Sequence, residues 1–445
     1  MKKVNRDRLQ GNQEVAEGQE QGLHLSLDEL ARAGARRMID AALEVEVEAY
    51  LAQHHDERDE RGHALVVRNG LARERKVTLG GGTLPLKAPR VNDKRVVDGK
   101  REKFSSKILP PYLKRSRNVS DVLPILYLRG LSTGDFREAL PLLLGDDAAG
   151  LSPTAITRLL KVWQEEYGDW RSRSLADRDF VYVWVDGVHF NVRLEDERLA
   201  ALVVIGVRPD GTKEVLALED GYRESTESWL ALLRDLKARG MRAPIVAVGD
   251  GALGFWAAVR EVFPETREQR CWVHKIANVL DKLPKGVQPR VKAKLHEMMY
   301  TPDRATCEKL RASLIAELKA KYPKAVACLE ADPEKLLTFF DLPAEHWKHL
   351  RTTNPIESTF ATVKLRQRVT KGAGSRSAGL AMAFKLLLMA ERTWRRLDSP
   401  ELLPQVRAGV VFENGVRVER VDAKKVLQLK QKRSARKDRH ERIAA

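Results

Sequence analysis

Two aspartates stand where apolar runs end. Asp186 follows the run FVYVWV at 180–185, and Asp250 follows IVAV at 245–248 and Gly249. Glycines flank both, at 187, 249 and 251, which keeps side-chain bulk away from them. In open α/β sheets, ligands gather outside the carboxyl ends of strands, above all where the strand order reverses. Two carboxylates placed there can lie close together and offer hard oxygen ligands with open positions, a set that suits Mg²⁺ with waters and phosphate oxygens. Two such ions about 3.5–4 Å apart would support in-line displacement at a phosphodiester. Either residue alone reads as readily as a turn aspartate, and Asp250 also as the N-cap of a helix starting near Ala252.

Other motifs exclude other chemistries. Cys271 and His274 make a Cys-x-x-His pair, half of a zinc site, but Cys307 and Cys328 have no partner at metal-finger spacing. A histidine that positions the active site or contacts DNA is the better reading. His296–Glu297 lacks the second histidine of a metalloprotease helix, since position 300 is Tyr. No Gly-rich loop ends in GK[ST], so ATP is not implied. Trp229 and Trp256 read as core residues. Trp272 and Trp347 could stack on a flipped base, but packing is the simpler assignment.

The elements that must carry these residues can be read in turn. Strands are expected at 180–185, 189–194, 199–207 and 213–218, then a helix at 225–239, the strand 245–248, a helix at 252–262 and a strand near 268–272. Three consecutive strands followed by alternating helices and strands mean an α/β fold with a mixed sheet. Residues 275–349 read as wholly helical, and helices at 355–370 and 377–397 close the organised part. Upstream, 1–25 look disordered, and 26–51 have helical spacing with Ser26 as N-cap and Glu29 as its capping-box partner. Gly-rich strand pieces follow, then three helices between Val119 and Trp170. The third opens at Pro153 after Ser152. This pattern is what a helix-turn-helix would show, with Thr154, Thr157 and Arg158 at the start of the recognition helix. The domain layout is therefore 26–118, 119–172, 178–274, 275–349, 350–400 and a basic arm at 401–445.

Charge points the same way. The 445 residues include 79 Lys and Arg against 62 Asp and Glu, a net +17 with pI near 9.7. The excess is clustered: 85–118 holds 11 basic and 3 acidic residues, 351–397 holds 10 and 2, and 423–445 holds 9 and 2. Three such clusters favour a polyanionic partner, because each neutralised phosphate releases counterions. No run approaches eighteen apolar residues, and the first 21 positions lack the apolar centre of a signal peptide. Three cysteines give no disulfide framework. A cytoplasmic protein is expected, associated with the nucleoid when bound to DNA.

Longer motifs carry a family resemblance. They are RNG at 68–70, GTLPLKAPR at 82–90, LYLRGLST at 126–133, VDGVHFNVR at 185–193, VGDGALGFWAAV at 248–259, RCWVHK at 270–275 and WKHLRTTNPIESTFATVKLRQR at 347–368. Together they resemble the Mutator-type transposases of bacterial insertion sequences, a branch of the DDE superfamily. The resemblance implies an RNase H-like mixed sheet with a helical insertion, behind a mainly helical N-terminal DNA-binding region. It implies a catalytic and metal-binding triad of Asp186, Asp250 and Glu357 holding two Mg²⁺, with Mn²⁺ able to substitute. Cys271 and His274 match the family's Cys-x-x-His pattern, and Lys364 a basic position seven residues past the Glu. Arg351, Arg366 and Arg368 in the same basic cluster are further expected DNA contacts. The implied partners are double-stranded DNA, at the element's terminal inverted repeats and at the target, and further copies of the chain in a homo-oligomer. The triplet Gly80–Gly82 departs from the pattern as a small insertion. Glu357 has a competing local role as a capping-box residue, with Asn354 as N-cap and Pro355 first in the helix. Rival readings are another RNase H-like nuclease, such as a junction resolvase, and a catalytically inactive DNA-binding regulator.

Overall fold

The computed structural model describes residues 26–131, 133–144, 148, 152–192, 199–221, 225–251, 254–370 and 372–418. The expected disorder of 1–25 and the charged tail beyond 420 lie outside the described residues. The chain divides into two compact units, with the division after Leu159, inside a helix.

In the first unit, α1 (Leu27–Gln53) starts as expected: the Ser26 hydroxyl accepts from Glu29 N–H and the Glu29 carboxylate accepts from Ser26 N–H. Two hairpin-like pairs follow, β1 (Val66–Leu71) with β4 (Pro89–Asp93) and β2 (Arg75–Leu79) with β3 (Gly82–Leu86), all antiparallel. The glycine triplet is the β2–β3 turn. Leu79 pairs with Gly82, and Gly82 has φ +131°, where a Cβ would also meet Arg32 Cδ at 2.7 Å. Leu43, Val77, Leu84, Leu86 and Leu109 form a small core beneath these strands. A second core joins α2 (Arg117–Leu128), α3 (Thr133–Leu144) and the start of α4 (Pro153–Ser172), through Val119, Leu123, Phe136, Leu140, Ile156 and Leu159. These are the three expected helices.

The second unit is built on a five-stranded sheet of order β9-β8-β5-β6-β7. β5 (Tyr182–Phe190), β6 (Leu199–Val207) and β7 (Lys213–Gly221) form an antiparallel meander; β8 (Val246–Gly249) runs parallel to β5, and β9 (Arg267–Arg270) parallel to β8. The two strands expected at 180–185 and 189–194 are in fact one. Asp186–Gly187 would favour a turn locally, but β6 is buried along all nine residues and pairs with β5 from Tyr182–Val207 through to Phe190–Leu199. Of the rest of that expected strand, Val192 makes only an isolated bridge to Ala373, and 193–194 lie outside the described residues.

Both sheet faces are covered, which is why FVYVWV reads as an unbroken apolar run. Val183, Val185, Leu202 and Val204 pack under α5 (Thr226–Ala238) and α6 (Phe255–Val262), with Trp229 and Trp256 in that core. Each such large side chain contributes about 1.5–3 kcal/mol by burial. From β9 to Leu350 the chain is helical: α7 (Trp272–Leu280), α8 (Gln288–Met299), α9 (Arg304–Leu318), α10 (Pro323–Glu330), α11 (Pro333–Leu337) and α12 (Trp347–Leu350), with short 3₁₀ turns. The segment leaves and rejoins the sheet at one place, since Trp272 N–H donates to Arg351 C=O at 2.8 Å. Trp272 and Trp347 are both buried, as packing requires. α13 (Asn354–Thr370) lies against β5, and α14 (Arg376–Glu391) against β7.

The arm expected from 401 is folded as far as it is described. A short helix, Leu403–Arg407, and the pair Phe412–Glu413 with Val416–Arg417 bury Leu403, Val406 and Phe412, and Gly415 N–H donates to Phe340 C=O at 3.0 Å. This described part is apolar and neutral, with Arg407 and Arg417 balanced by Glu401 and Glu413, whereas the basic cluster 423–445 lies outside the described residues. No helix among the described residues is long and apolar enough to cross a membrane.

Candidate active site

Asp186 lies in the middle of β5, not beyond its end, opposite Val203 of β6. By strand alternation its side chain shares a face with Tyr182 and Trp184. That face is held by the segment before α13: Tyr182 Oη bonds His346 Nδ1 at 2.9 Å, and Trp184 Nε1 donates to His349 C=O at 2.9 Å. Asp186 is half-buried, and one of its oxygens accepts Gly187 N–H at 2.8 Å.

Asp250 follows the last residue of β8. The β8–β5 register runs Val246–Tyr182, Ala247–Val183, Val248–Trp184. Asp250 and Asp186 each stand two residues beyond the last pair of that register. Asp250 does not cap the next helix, for α6 begins at Phe255 and its N-cap Gly254 makes no side-chain bond. Its carboxylate instead accepts Gly251 N–H, and its carbonyl accepts the Trp256 indole N–H. The glycine after it leaves room for a side chain: a Cβ on Gly251 would meet Arg270 Cζ at 2.0 Å, so the guanidinium would have to move. Arg270 is buried at the end of β9, with Asp332 Oδ2 3.5 Å from its Nη1.

Glu357 arrives from the far side of the helical insertion, on the helix that lies against β5. α13 begins at Asn354, so Glu357 is fourth in the helix rather than third. The capping-box geometry is thereby lost. Glu357 Oε1 accepts the side-chain hydroxyl of Thr353 instead, and Glu357 N–H donates to Thr353 C=O at 3.0 Å.

Thr353 is the hub of a tight cluster. Its hydroxyl lies 3.3 Å from Cys271 Sγ and 3.5 Å from His274 Nδ1, besides its bond to Glu357, and its N–H points at the same sulfur at 3.4 Å. His274 Nδ1 is 3.8 Å from Glu357 Oε1. Cys271 caps α7 directly after β9, and Cys271 N–H donates to Gly249 C=O at 2.8 Å, which joins the cluster to the end of β8. The Cys271 sulfur against the ring raises the His274 pKa to about 9; burial opposes the shift, and the charges of Asp250 and Glu357 add to it. The shift favours the protonated imidazole next to Glu357.

Among the described residues, one group of three metal-ligating side chains has its ligand atoms all within 4.8 Å of one another: Cys271, His274 and Glu357. Glu357 thus supplies a third partner that spacing alone did not offer the Cys-x-x-His pair. The Thr353 hydroxyl lies within hydrogen-bonding reach of all three. Three ligands also fall short of a closed structural zinc site. Asp186 and Asp250 are not part of that group.

The expected DNA contacts fall into two classes. Lys364 and Arg368 are exposed on α13, and Thr154, Thr157 and Arg158 are exposed on α4. Arg351 is only 8% exposed, its guanidinium within 4.8–5.2 Å of the rings of Phe339, Trp347 and Tyr300, so it is built into the helical insertion. Arg366 is 5% exposed and lies inside the unit as well. Thr353 was missed from the sequence. The available signal was a hydroxyl residue directly before the helix that carries the acid.

The Mutator-family transposase model matches residues 8–395. The chain is similar to the transposase of insertion sequence element IS6120 from Mycolicibacterium smegmatis, at 56% identity over 302 residues, 68% of this chain and 93% of that protein. It is also similar to the transposase of insertion sequence element IST2 from Acidithiobacillus ferrooxidans, at 49% identity over 288 residues, 63% of this chain and 95% of that protein.

Proposed function

This chain belongs to the Mutator family of transposases, and from that premise we propose that it is a DDE transposase with an RNase H-like catalytic core, acting on the inverted-repeat ends of an insertion sequence. The observation that supports the reading is the parallel β8–β5 pairing, whose last pair, Val248–Trp184, lies two residues before Asp250 and Asp186, while α13, the helix that carries Glu357, packs against β5.

The reaction is two phosphoryl transfers. In the first, a water oxygen bonds to phosphorus at the element's end and the P–O3′ bond breaks, leaving a 3′-hydroxyl. In the second, that hydroxyl oxygen bonds to a phosphorus of target DNA and displaces another 3′-oxygen, which leaves as a hydroxyl. Two Mg²⁺ ions, when bound, supply the positive charge that both the attacking and the leaving oxygen need. Asp186, Asp250 and Glu357 would hold them. The protein's own part is positional. β5 and β8 fix the two aspartates on a buried sheet, Thr353 orients Glu357, and the His274 cation balances part of the carboxylate charge. Exposed Lys364, seven residues beyond Glu357 and so on the same face of α13, is placed to contact a DNA phosphate.

The test is cleavage and strand transfer on end-containing DNA with Mg²⁺ or Mn²⁺. Asp186→Ala and Asp250→Ala should abolish both reactions and leave DNA binding largely intact. Cleavage retained by either variant would remove that residue from the metal site.

A further inference from the structure

A sulfur, an imidazole nitrogen and a carboxylate oxygen meet between α7 and α13. Cys271 is the N-cap of α7 and His274 stands in its first turn, while Glu357 comes from α13, beyond the helical insertion. One ligand atom from each lies within 4.8 Å of the other two, and His274 Nδ1 is 3.8 Å from Glu357 Oε1. A tetrahedral Zn²⁺ with bonds of about 2.0–2.3 Å holds neighbouring ligand atoms roughly 3.3–3.7 Å apart. Closing these three on an ion therefore needs side-chain shifts on the order of 1 Å.

The backbone beneath them is pinned. Cys271 N–H donates to Gly249 C=O and Trp272 N–H to Arg351 C=O, both at 2.8 Å, so the segments that bear the ligands are tied to each other and to the end of β8. Cys271 is fully buried, whereas the side chains of His274 and Glu357 are 30% and 34% exposed and leave an approach from their side. The Thr353 hydroxyl donates to Glu357, the kind of outer contact that orients a coordinating carboxylate. A thiolate and an imidazole select a thiophilic divalent cation over Mg²⁺, which takes oxygen donors. Three protein ligands with a fourth position open is the arrangement of zinc sites that keep a water.

We propose that Cys271, His274 and Glu357 form a site for Zn²⁺ or a similarly thiophilic divalent cation, completed by one water, and that an ion there withdraws Glu357 from the Mg²⁺-dependent reaction. The site stands on the geometry of the cluster, and only the antagonism rests on the transposase reading. Binding releases to solvent the thiol proton of Cys271 and any proton on the coordinating nitrogen of His274.

The experiment titrates the full chain, stripped of metal by a chelator, with Co²⁺. A cobalt–thiolate bond gives a charge-transfer absorption, and four-coordinate Co²⁺ gives intense visible bands. Wild type should show both, and Zn²⁺ should abolish them by displacement. Cys271→Ser should lose the charge-transfer band, while Cys307→Ala and Cys328→Ala keep it. His274→Gln and Glu357→Gln should bind Co²⁺ at least about tenfold more weakly. Thermal melting without metal reports the folding of each variant. A wild-type chain without the thiolate band would overturn the site with no variant needed, and so would a band that survives Cys271→Ser. In a second arm, Zn²⁺ added to cleavage of end-containing DNA at fixed Mg²⁺ should inhibit wild type over the concentrations at which it displaces Co²⁺. Zn²⁺ bound at the cluster without inhibition would overturn the antagonism. If wild type fails to cleave in Mg²⁺ alone, the transposase reading fails, while the Co²⁺ titration still decides the site.

Discussion

Replacing Thr353 with valine should separate the positioning of Glu357 from the fold that carries it. Valine matches threonine in shape and removes one hydroxyl from a site with no solvent exposure. That hydroxyl serves Glu357 and lies 3.3 Å from Cys271 Sγ and 3.5 Å from His274 Nδ1. A hydrogen bond to a charged group is worth about 1.5–3 kcal/mol. Glu357 is 34% exposed, so water can take over part of the bond. The stability cost should therefore fall at the low end, about 1.5 kcal/mol. Function should suffer more, because a carboxylate released from its donor samples several rotamers. Loss of a group that orients a metal ligand typically costs about 10–100-fold in affinity or activity. The assay is cleavage as a function of Mg²⁺ concentration, beside thermal melting. Thr353→Val should need more metal for half-maximal rate, and Thr353→Ser, which keeps the hydroxyl, should recover most of the loss. A valine variant with the wild-type metal requirement and rate would refute the positioning argument.

Further outcomes follow from the same geometry. Glu357→Gln still accepts the Thr353 hydroxyl but lacks the charge, so melting should change by no more than about 1 kcal/mol while cleavage is lost; an active variant would send the search for a third acid elsewhere. Gly251→Ala places a methyl against the Arg270 guanidinium and should cost about 1–3 kcal/mol by overpacking, with reduced cleavage as Asp250 shifts; wild-type melting and rate would contradict this. Burial, with Lys213 nearby, lowers the His349 pKa to about 4. The folded state thus holds His349 neutral, so its contribution is intact above the unfolded value near 6.5 and is lost as pH falls from there toward 4. The loss should reach at most about 3 kcal/mol, at 1.36 kcal/mol per unit. Denaturation of wild type and His349→Gln across that range should show the wild-type advantage shrinking on acidification, and a constant difference would exclude it.

What the sequence determined by itself was largely local. The capping box at Ser26 and Glu29, the helices of the insertion and the buried run before Asp186 follow from spacing and side-chain type within a dozen residues. The identities of Asp186, Asp250 and Glu357 as a set came from motif resemblance, not from periodicity. Tertiary structure decided where these residues sit. Asp186 is inside a strand because a fully buried neighbour pairs through the Asp-Gly pair and overrides its turn preference. Glu357 lost its capping-box position because Thr353, fixed against Cys271 from 82 residues away, ends the preceding segment one residue early. Arg351 and Arg366 look like surface cations in a basic stretch, yet both are buried. Arg351 sits against the rings of Phe339, Trp347 and Tyr300. The physical reason is common to all of these. Helix and strand preference are set by near neighbours along the chain, whereas register, burial and the meeting of side chains depend on contacts between segments that local pattern does not encode.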